Sequence, residues 1–185
     1  MHEIPKNIII GTVFGGSSLI YPKRGRNCYL SMNSRFPLWL HYKVQELQMY
    51  FSNSEITKEG KTYRCRSVCH EDLTNLYQML YKNNRRFVCE DILNPLRYQA
   101  LMVWYLDGGG RCGRNKKNIY LNCTLFGEEG TNIIANYFNE MYMTCKISRS
   151  KSRIRLIFDV EASHKYAIII EDAVPLFMIN RLYID

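Results

Sequence analysis

The chain predicts an α+β fold built as a pseudo-twofold pair of αββαββα halves, and three observations carry that prediction. Two apolar stretches end in glycine runs: PKNIIIGTVFG closes on Gly15 and Gly16, and NPLRYQALMVWYLDGGGR passes through Asp107 into Gly108 and its two following glycines. The two glycine ends, Gly16 and Gly108, lie 92 residues apart, and the order helix, hairpin, helix, hairpin, helix runs once through each half. The length, 185 residues, suits one domain or two fused halves of about ninety. Residues 1–90 and 91–185 are the expected halves, and 46% apolar with 23% charged residues is a globular balance.

The first helix is expected over Pro5–Gly15, with the proline in its first turn. Gly11 and Gly15 are one turn apart and share a face that another backbone can approach. Strands Ser17–Tyr21 and Asn27–Asn33 follow, joined by the basic turn Pro22-Lys23-Arg24-Gly25-Arg26. Phe36–Phe51 reads as a helix through Leu40, Val44, Leu47 and Phe51. The second hairpin pairs Ser54–Thr57 with Thr62–Val68, and its alternation sets Arg64 and Arg66 on one face, Tyr63 and Cys65 on the other. Glu71–Lys82 closes the half as a helix.

The second half opens with a proline-started helix that ends at Asp107. Arg111–Lys116 and Asn118–Leu125 form its first hairpin, and Glu128–Tyr142 its next helix, with Ile133, Ile134, Tyr137, Phe138 and Met141 on one side. Thr144–Ser148 and Arg153–Val160 form the last hairpin, turning at Arg149-Ser150-Lys151-Ser152. A final helix begins near Ala162 and breaks before Pro175.

A formal net charge of +8 points to a polyanionic partner, nucleic acid first and a membrane surface second. No apolar run is long enough to span a bilayer, and the short Ile8–Ile10 run, interrupted by Gly11, does not read as a signal peptide. An odd set of seven scattered cysteines suits reduced, partly buried thiols in a reducing compartment. Only Cys65, Cys69 and His70 lie close together, and they lack a second pair at zinc spacing. Richness in Ile, Asn, Lys and Tyr fits AT-rich codons, as in an organellar genome.

The pair IIIGTVFGGSSL and ALMVWYLDGGGR resembles the two motifs of single-chain LAGLIDADG homing endonucleases, nearest to the organellar intron-encoded group, whose second motif reads like L-x-P-x-x-LA-x-W-F-M-D-D-G-G. The resemblance covers nearly the whole chain. It implies two motif helices packed at the axis and two antiparallel four-stranded sheets forming a saddle over a DNA major groove. It also implies Mg²⁺-dependent cleavage, the last aspartate of each motif holding the ion. Those positions here are Gly16 and Gly108, which carry no side-chain oxygen. Asp107 matches the penultimate acid, which supports the tip. YKNNRRFV resembles the basic segment before the second motif, giving Arg86 the place of an active-site cation. PLFMINRL resembles the C-terminal segment that carries a lysine, giving that place to Arg181. The resemblance therefore implies DNA binding with poor or absent cleavage, in a vestigial enzyme or a deliberately inactivated variant. Slow nicking through Asp107 is the other outcome.

Binding is expected from Lys23, Arg24 and Arg26 in the first turn, Arg64 and Arg66, and Arg111, Arg114, Lys116 and Lys117 on the third hairpin. Lys146, Arg149, Lys151, Arg153 and Arg155 on the fourth complete the set. Asn27, Asn33, Asn118 and Asn122 are candidates for adenine contacts. The expected partner is a double-stranded DNA target held by a monomer with an internal pseudo-dimer. An RNA-binding intron maturase or ribosomal-RNA-associated protein on the same fold is the alternative, and a protein-interaction module is a third class. The expected location is a mitochondrion or chloroplast, or the cytoplasm of a prokaryotic or phage host.

Overall fold

The computed structural model describes residues 1–52 and 54–182. Two helices form its centre: α1 (Glu3–Gly15) and α5 (Tyr98–Gly108). Neither has an amphipathic stripe, because each is buried all round; Asn7–Phe14 and Ala100–Leu106 are unbroken buried runs. They pack against each other along their length, and a Cβ on Gly11 would strike the Ala100 carbonyl oxygen and come within 2.9 Å of Val103 Cβ. One on Gly15 would strike Asp107 Cβ. The glycines of the first helix thus permit the close crossing. At the opposite end the Asn7 side chain accepts from the Arg97 backbone N–H at 2.8 Å, so that α1 caps the start of α5.

Each helix leads into a four-stranded antiparallel sheet. The first orders its strands β1-β2-β4-β3, from β1 (Ser18–Ile20), β2 (Tyr29–Ser34), β3 (Thr57–Glu59) and β4 (Thr62–Arg66). The second repeats the order as β7-β8-β10-β9, from β7 (Gly109–Cys112), β8 (Asn118–Asn122), β9 (Cys145–Ser150) and β10 (Arg153–Phe158). Alternation sends Leu30, Met32 and Cys65 of the first sheet, and Ile119, Leu121, Leu156 and Phe158 of the second, into the core. Helices α2 (Pro37–Glu46), α3 (Glu71–Leu80), α6 (Gly127–Glu140) and α7 (Val160–Ile170) complete it. On the other face of each sheet the described strand residues, among them Asn33, Arg66, Tyr120 and Arg153, are half-buried or exposed.

Several boundaries differ from the sequence expectation, each for a local reason. The third helix ends at Leu80, and Tyr81–Lys82 (β5) pairs with Arg85–Arg86 (β6). Asn83 and Asn84 both take positive φ (50° and 60°), as a two-residue type I′ hairpin demands. A short helix, α4 (Glu90–Leu93), then leads to α5. The expected Arg111–Lys116 strand stops at Cys112, where Gly113 (φ 79°) and Asn115 (φ 57°) turn the chain. The expected Phe36–Phe51 helix ends at Glu46 and continues as a 3-10 turn over Gln48–Tyr50. The last helix starts at Val160 because Asp159 caps it, accepting from Ala162 N–H at 2.7 Å.

Candidate functional site at the helix tips and the open sheet faces

The C-terminal ends of α1 and α5 meet. A Cβ on Gly108 would lie 2.9 Å from the Gly15 carbonyl oxygen. Gly16, at φ +133°, has open space where a side chain would project, but in a backbone region that L-residues rarely adopt. An arginine caps each tip. Arg86, delivered by the small Asn83-Asn84 hairpin, donates from Nη2 to the Ser17 carbonyl and, at 3.3 Å, to Ser18 Oγ. Arg181 donates from Nη1 to the Leu106 carbonyl and from Nη2 to the Gly109 carbonyl at 3.2 Å. Ser17 and Gly109 each follow a tip glycine, so the two cations hold equivalent carbonyls. Cations suit that place, where unpaired carbonyls and the negative end of the helix dipole converge. The caps differ in completeness: Arg86 Nε and Nη1 are buried without a partner among the described residues. Arg181 also lies 5.7 Å from the centre of the Phe36 ring. Burial pushes the neighbouring Tyr105 phenol up in pKa, against the pull of Arg111 and Arg181, and its hydroxyl donates to the Arg181 carbonyl.

Asp107 does not face the tip as a free carboxylate. Lys43 Nζ donates to Oδ2 at 2.7 Å and Oδ1 at 3.0 Å, and Trp39 Nε1 donates to Oδ1 at 2.6 Å. The lysine side chain is 0% exposed and the aspartate 8%. Both donors come from α2, in the other half of the chain. This clamp was absent from the sequence reading, and no spacing rule joins a lysine and an aspartate 64 positions apart. Beside it opens a cleft of about 370 Å³ lined by Gly15, Gly16, Ser17, Asn33, Ser34, Arg35, Phe36, Thr62, Leu106, Asp107 and Arg181. Arg35 is a second residue that the sequence reading passed over.

The donor set does not fit a divalent cation. Gly16 and Gly108 have no side-chain oxygen, Asp107 is engaged by two donors, and two arginines flank the tips. Among the described residues no group of three or more His, Cys, Asp or Glu is placed to hold a metal. Cys65 lies in the core and its thiol is pushed up by burial, while His70 caps α3 by accepting from Asp72 N–H at 3.1 Å. Burial also holds Cys123 protonated, with its pKa raised to about 12.

The basic residues separate into three groups. On the open faces lie Arg64, Arg66, Arg153, Arg155 and Lys146, with Tyr29, Ser31, Asn33, Asn118, Tyr120 and Asn122 beside them. At the loops, Lys23, Arg24, Arg26, Arg114, Lys116, Lys117 and Lys151 are exposed. Arg111 and Arg149 are engaged elsewhere: Arg111 donates to the Leu182 and Lys117 carbonyls, and Arg149 stands opposite Ile154 on the helix side, paired with Glu128 at 2.8 Å. Arg64 is also bonded, to Glu59 at 2.8 Å. Ser148, Ser150, Ser152, Arg153 and Arg155 line an open groove of about 280 Å³ on the second sheet. Asn27 is drawn to Thr74, whose hydroxyl donates to its Oδ1 at 3.2 Å.

Comparison with known proteins bears on these features together. The LAGLIDADG DNA endonuclease family matches residues 6–166. A protein of Wickerhamomyces canadensis described as probable intron-encoded endonuclease 1 is 22% identical over 167 residues, spanning 83% of this chain and 72% of that protein. Among solved structures, the homing endonuclease I-WcaI bound to its DNA recognition sequence superposes with a TM-score of 0.88 at 19% identity, covering 100% of this chain and 88% of that one. I-DmoI in complex with DNA and Mn gives 0.60 at 13% identity, over 91% and 96% of the two chains. The N-terminal LAGLIDADG domain of DUF199/WhiA gives 0.60 at 14%, over 98% and 87%.

Proposed function

The chain belongs to the LAGLIDADG DNA endonuclease family, and from that premise we propose that it binds double-stranded DNA sequence-specifically and leaves it uncut. Residues 1–90 and 91–185 act as the two halves, of which 53 and 183–185 lie outside the described residues. The open faces of both sheets take the duplex, and the exposed loop cations hold its backbone. A relative described as intron-encoded supports an origin in an organellar or other host genome.

One observation supports the loss of cleavage: at both meeting tips stands a glycine, at the position that the resemblance gives to the family's metal-holding acid, with an arginine beside it. Support for that alignment comes from the helix contact, which pairs Gly11 with Val103 and Gly15 with Asp107 at the same 92-residue offset as Gly16 and Gly108. Asp107 is then the penultimate acid, and its bonds to Lys43 and Trp39 give it a structural role. Without an anionic ligand at either tip, no ion stabilises the phosphate charge that develops during hydrolysis.

The test is a randomised duplex library incubated with the protein in chelator, then in Mg²⁺ or Mn²⁺. Retention of a defined subset in chelator, with intact strands after metal is added, is the expected result. Strand cutting by the natural chain would overturn the loss of cleavage. Tighter binding of intron RNA than of any selected duplex at equal salt would overturn the choice of DNA. Gly16→Asp with Gly108→Asp should restore metal-dependent cutting at a cost in stability, because Gly16 sits at φ +133° and a Cβ on Gly108 meets the Gly15 backbone. A double variant that melts cooperatively and binds but never cuts would show that the acids belong elsewhere.

A further inference from the structure

We infer that Lys82 and Arg85 form a phosphate grip carried by the first half alone, so that the chain holds its duplex unevenly about the two helix tips. This rests on the proposal that the chain binds duplex DNA. The grip stands on the β5–β6 hairpin, where Lys82 is opposite Arg85 and Tyr81 opposite Arg86. Alternation sets the two pairs on opposite faces of the hairpin. One face is docked on the protein: the Leu19 N–H donates to the Tyr81 hydroxyl at 3.2 Å, and Arg86 holds the Ser17 carbonyl and Ser18 Oγ. The other face leaves Lys82 and Arg85 exposed beside the first tip.

Local contacts stiffen the hairpin. The Tyr77 hydroxyl donates to Asn84 Oδ1 at 2.7 Å, the Phe87 N–H donates to the Leu80 carbonyl at 2.8 Å, and Lys82 Nζ lies 3.7 Å from the centre of the Phe87 ring. Cations held in this way lose less freedom when they engage an anion. Neither Lys82 nor Arg85 nor Arg86 is in an ion pair among the described residues. The three line a groove of about 910 Å³, whose far wall carries Glu129 and Glu128, the latter taken up by Arg149. A phosphate chain running along the hairpin side therefore meets three uncompensated positive charges.

The second tip lacks this equipment. Its cap, Arg181, arises from a 3-10 turn over Leu176–Arg181. Counted back from each cap arginine, Phe177 stands where the first half has Lys82, and Asn180 where it has Arg85. Leu176 is 87% exposed and Phe177 48%, and Glu171 and Asp172 precede them. An apolar and acidic flank gives a phosphate no cation to meet, so backbone contact beside the tips falls on one side of the target centre.

The salt dependence of binding to a duplex selected from the randomised library tests this, measured between about 50 and 200 mM salt together with a hydroxyl-radical footprint. The natural chain is compared with Lys82→Gln/Arg85→Gln and with Phe177→Ala/Asn180→Ala, each first shown to melt as the natural chain does. The hairpin variant should flatten the slope of log affinity against log salt by about two, and leave the ranking of selected sequences unchanged. Its footprint should lose protection on one side of the target centre only. The second variant should keep both slope and footprint. An unaltered slope in the hairpin variant, a changed base preference, protection lost on both sides, or an equal loss from the second variant would each overturn the grip. A natural chain that retains no duplex would instead overturn the proposed function.

Discussion

The two helix tips present equivalent carbonyls to an arginine but differ in backbone and side chains: α1 ends at Gly15 with Gly16 at φ 133°, whereas α5 runs on through Gly108. At the first, Gly15 and Gly16 lead into Ser17, and Arg86 holds the Ser17 carbonyl. At the second, Asp107 and Gly108 lead into Gly109, and Arg181 holds the Gly109 carbonyl. The carboxylate that the second tip keeps is turned across the interface to Lys43 and Trp39 of the first half. An acid at a helix tip is thus no evidence of chemistry by itself. What it bonds to decides its role, and here that is a buried lysine.

The largest expected effect tests that reading. Lys43→Met alone leaves the Asp107 carboxylate buried without its cation, and should destabilise the fold by about 3–5 kcal/mol. Combining it with Asp107→Asn removes both charges and should return most of that loss. Urea titrations of the three proteins decide the matter, and a Lys43→Met variant as stable as the natural chain would dissolve the contrast between the tips. Next in size are the caps. Arg181→Met frees two carbonyls and should cost about 1–3 kcal/mol, whereas Arg86→Met, which also removes two unpartnered buried nitrogens, should cost less than about 1 kcal/mol. Equal losses in the same titrations would mean that the caps are equivalent. The smallest effect lies on the surface. The Arg149 guanidinium holds Glu128 below the usual carboxylate range. Its contribution is present above that range and fades as pH falls through the lowered value. Glu128→Gln should therefore remove a slight acid-side loss of melting temperature, and a full-sized loss in the variant would assign it to other groups.

Much of the fold was legible because each half repeats one order of elements, and because alternation in Thr62–Arg66 and in Arg153–Phe158 fixes which arginines leave the core. The tip glycines were legible from the same repeat, and the two cap arginines from the resemblance of YKNNRRFV and PLFMINRL to family segments. The Lys43 clamp was not, since it depends on how α2 of one half lies beside α5 of the other, which no local pattern encodes. The β5–β6 hairpin is two residues a side and vanishes into the preceding helix unless Asn83-Asn84 is read as a turn. Arg149 shows the limit of counting charges: one step of register sends it to the helix side and into Glu128.

The clamp also makes the two halves non-interchangeable. Doubling the first would bring two copies of Lys43 to the crossing with no carboxylate between them. Doubling the second would bury two aspartates beside α6, whose sequence GEEGTNIIANYFNE offers no cation. Only the unlike combination is neutral at its centre, so this chain has lost the option of separating into segments that self-associate as symmetric twins.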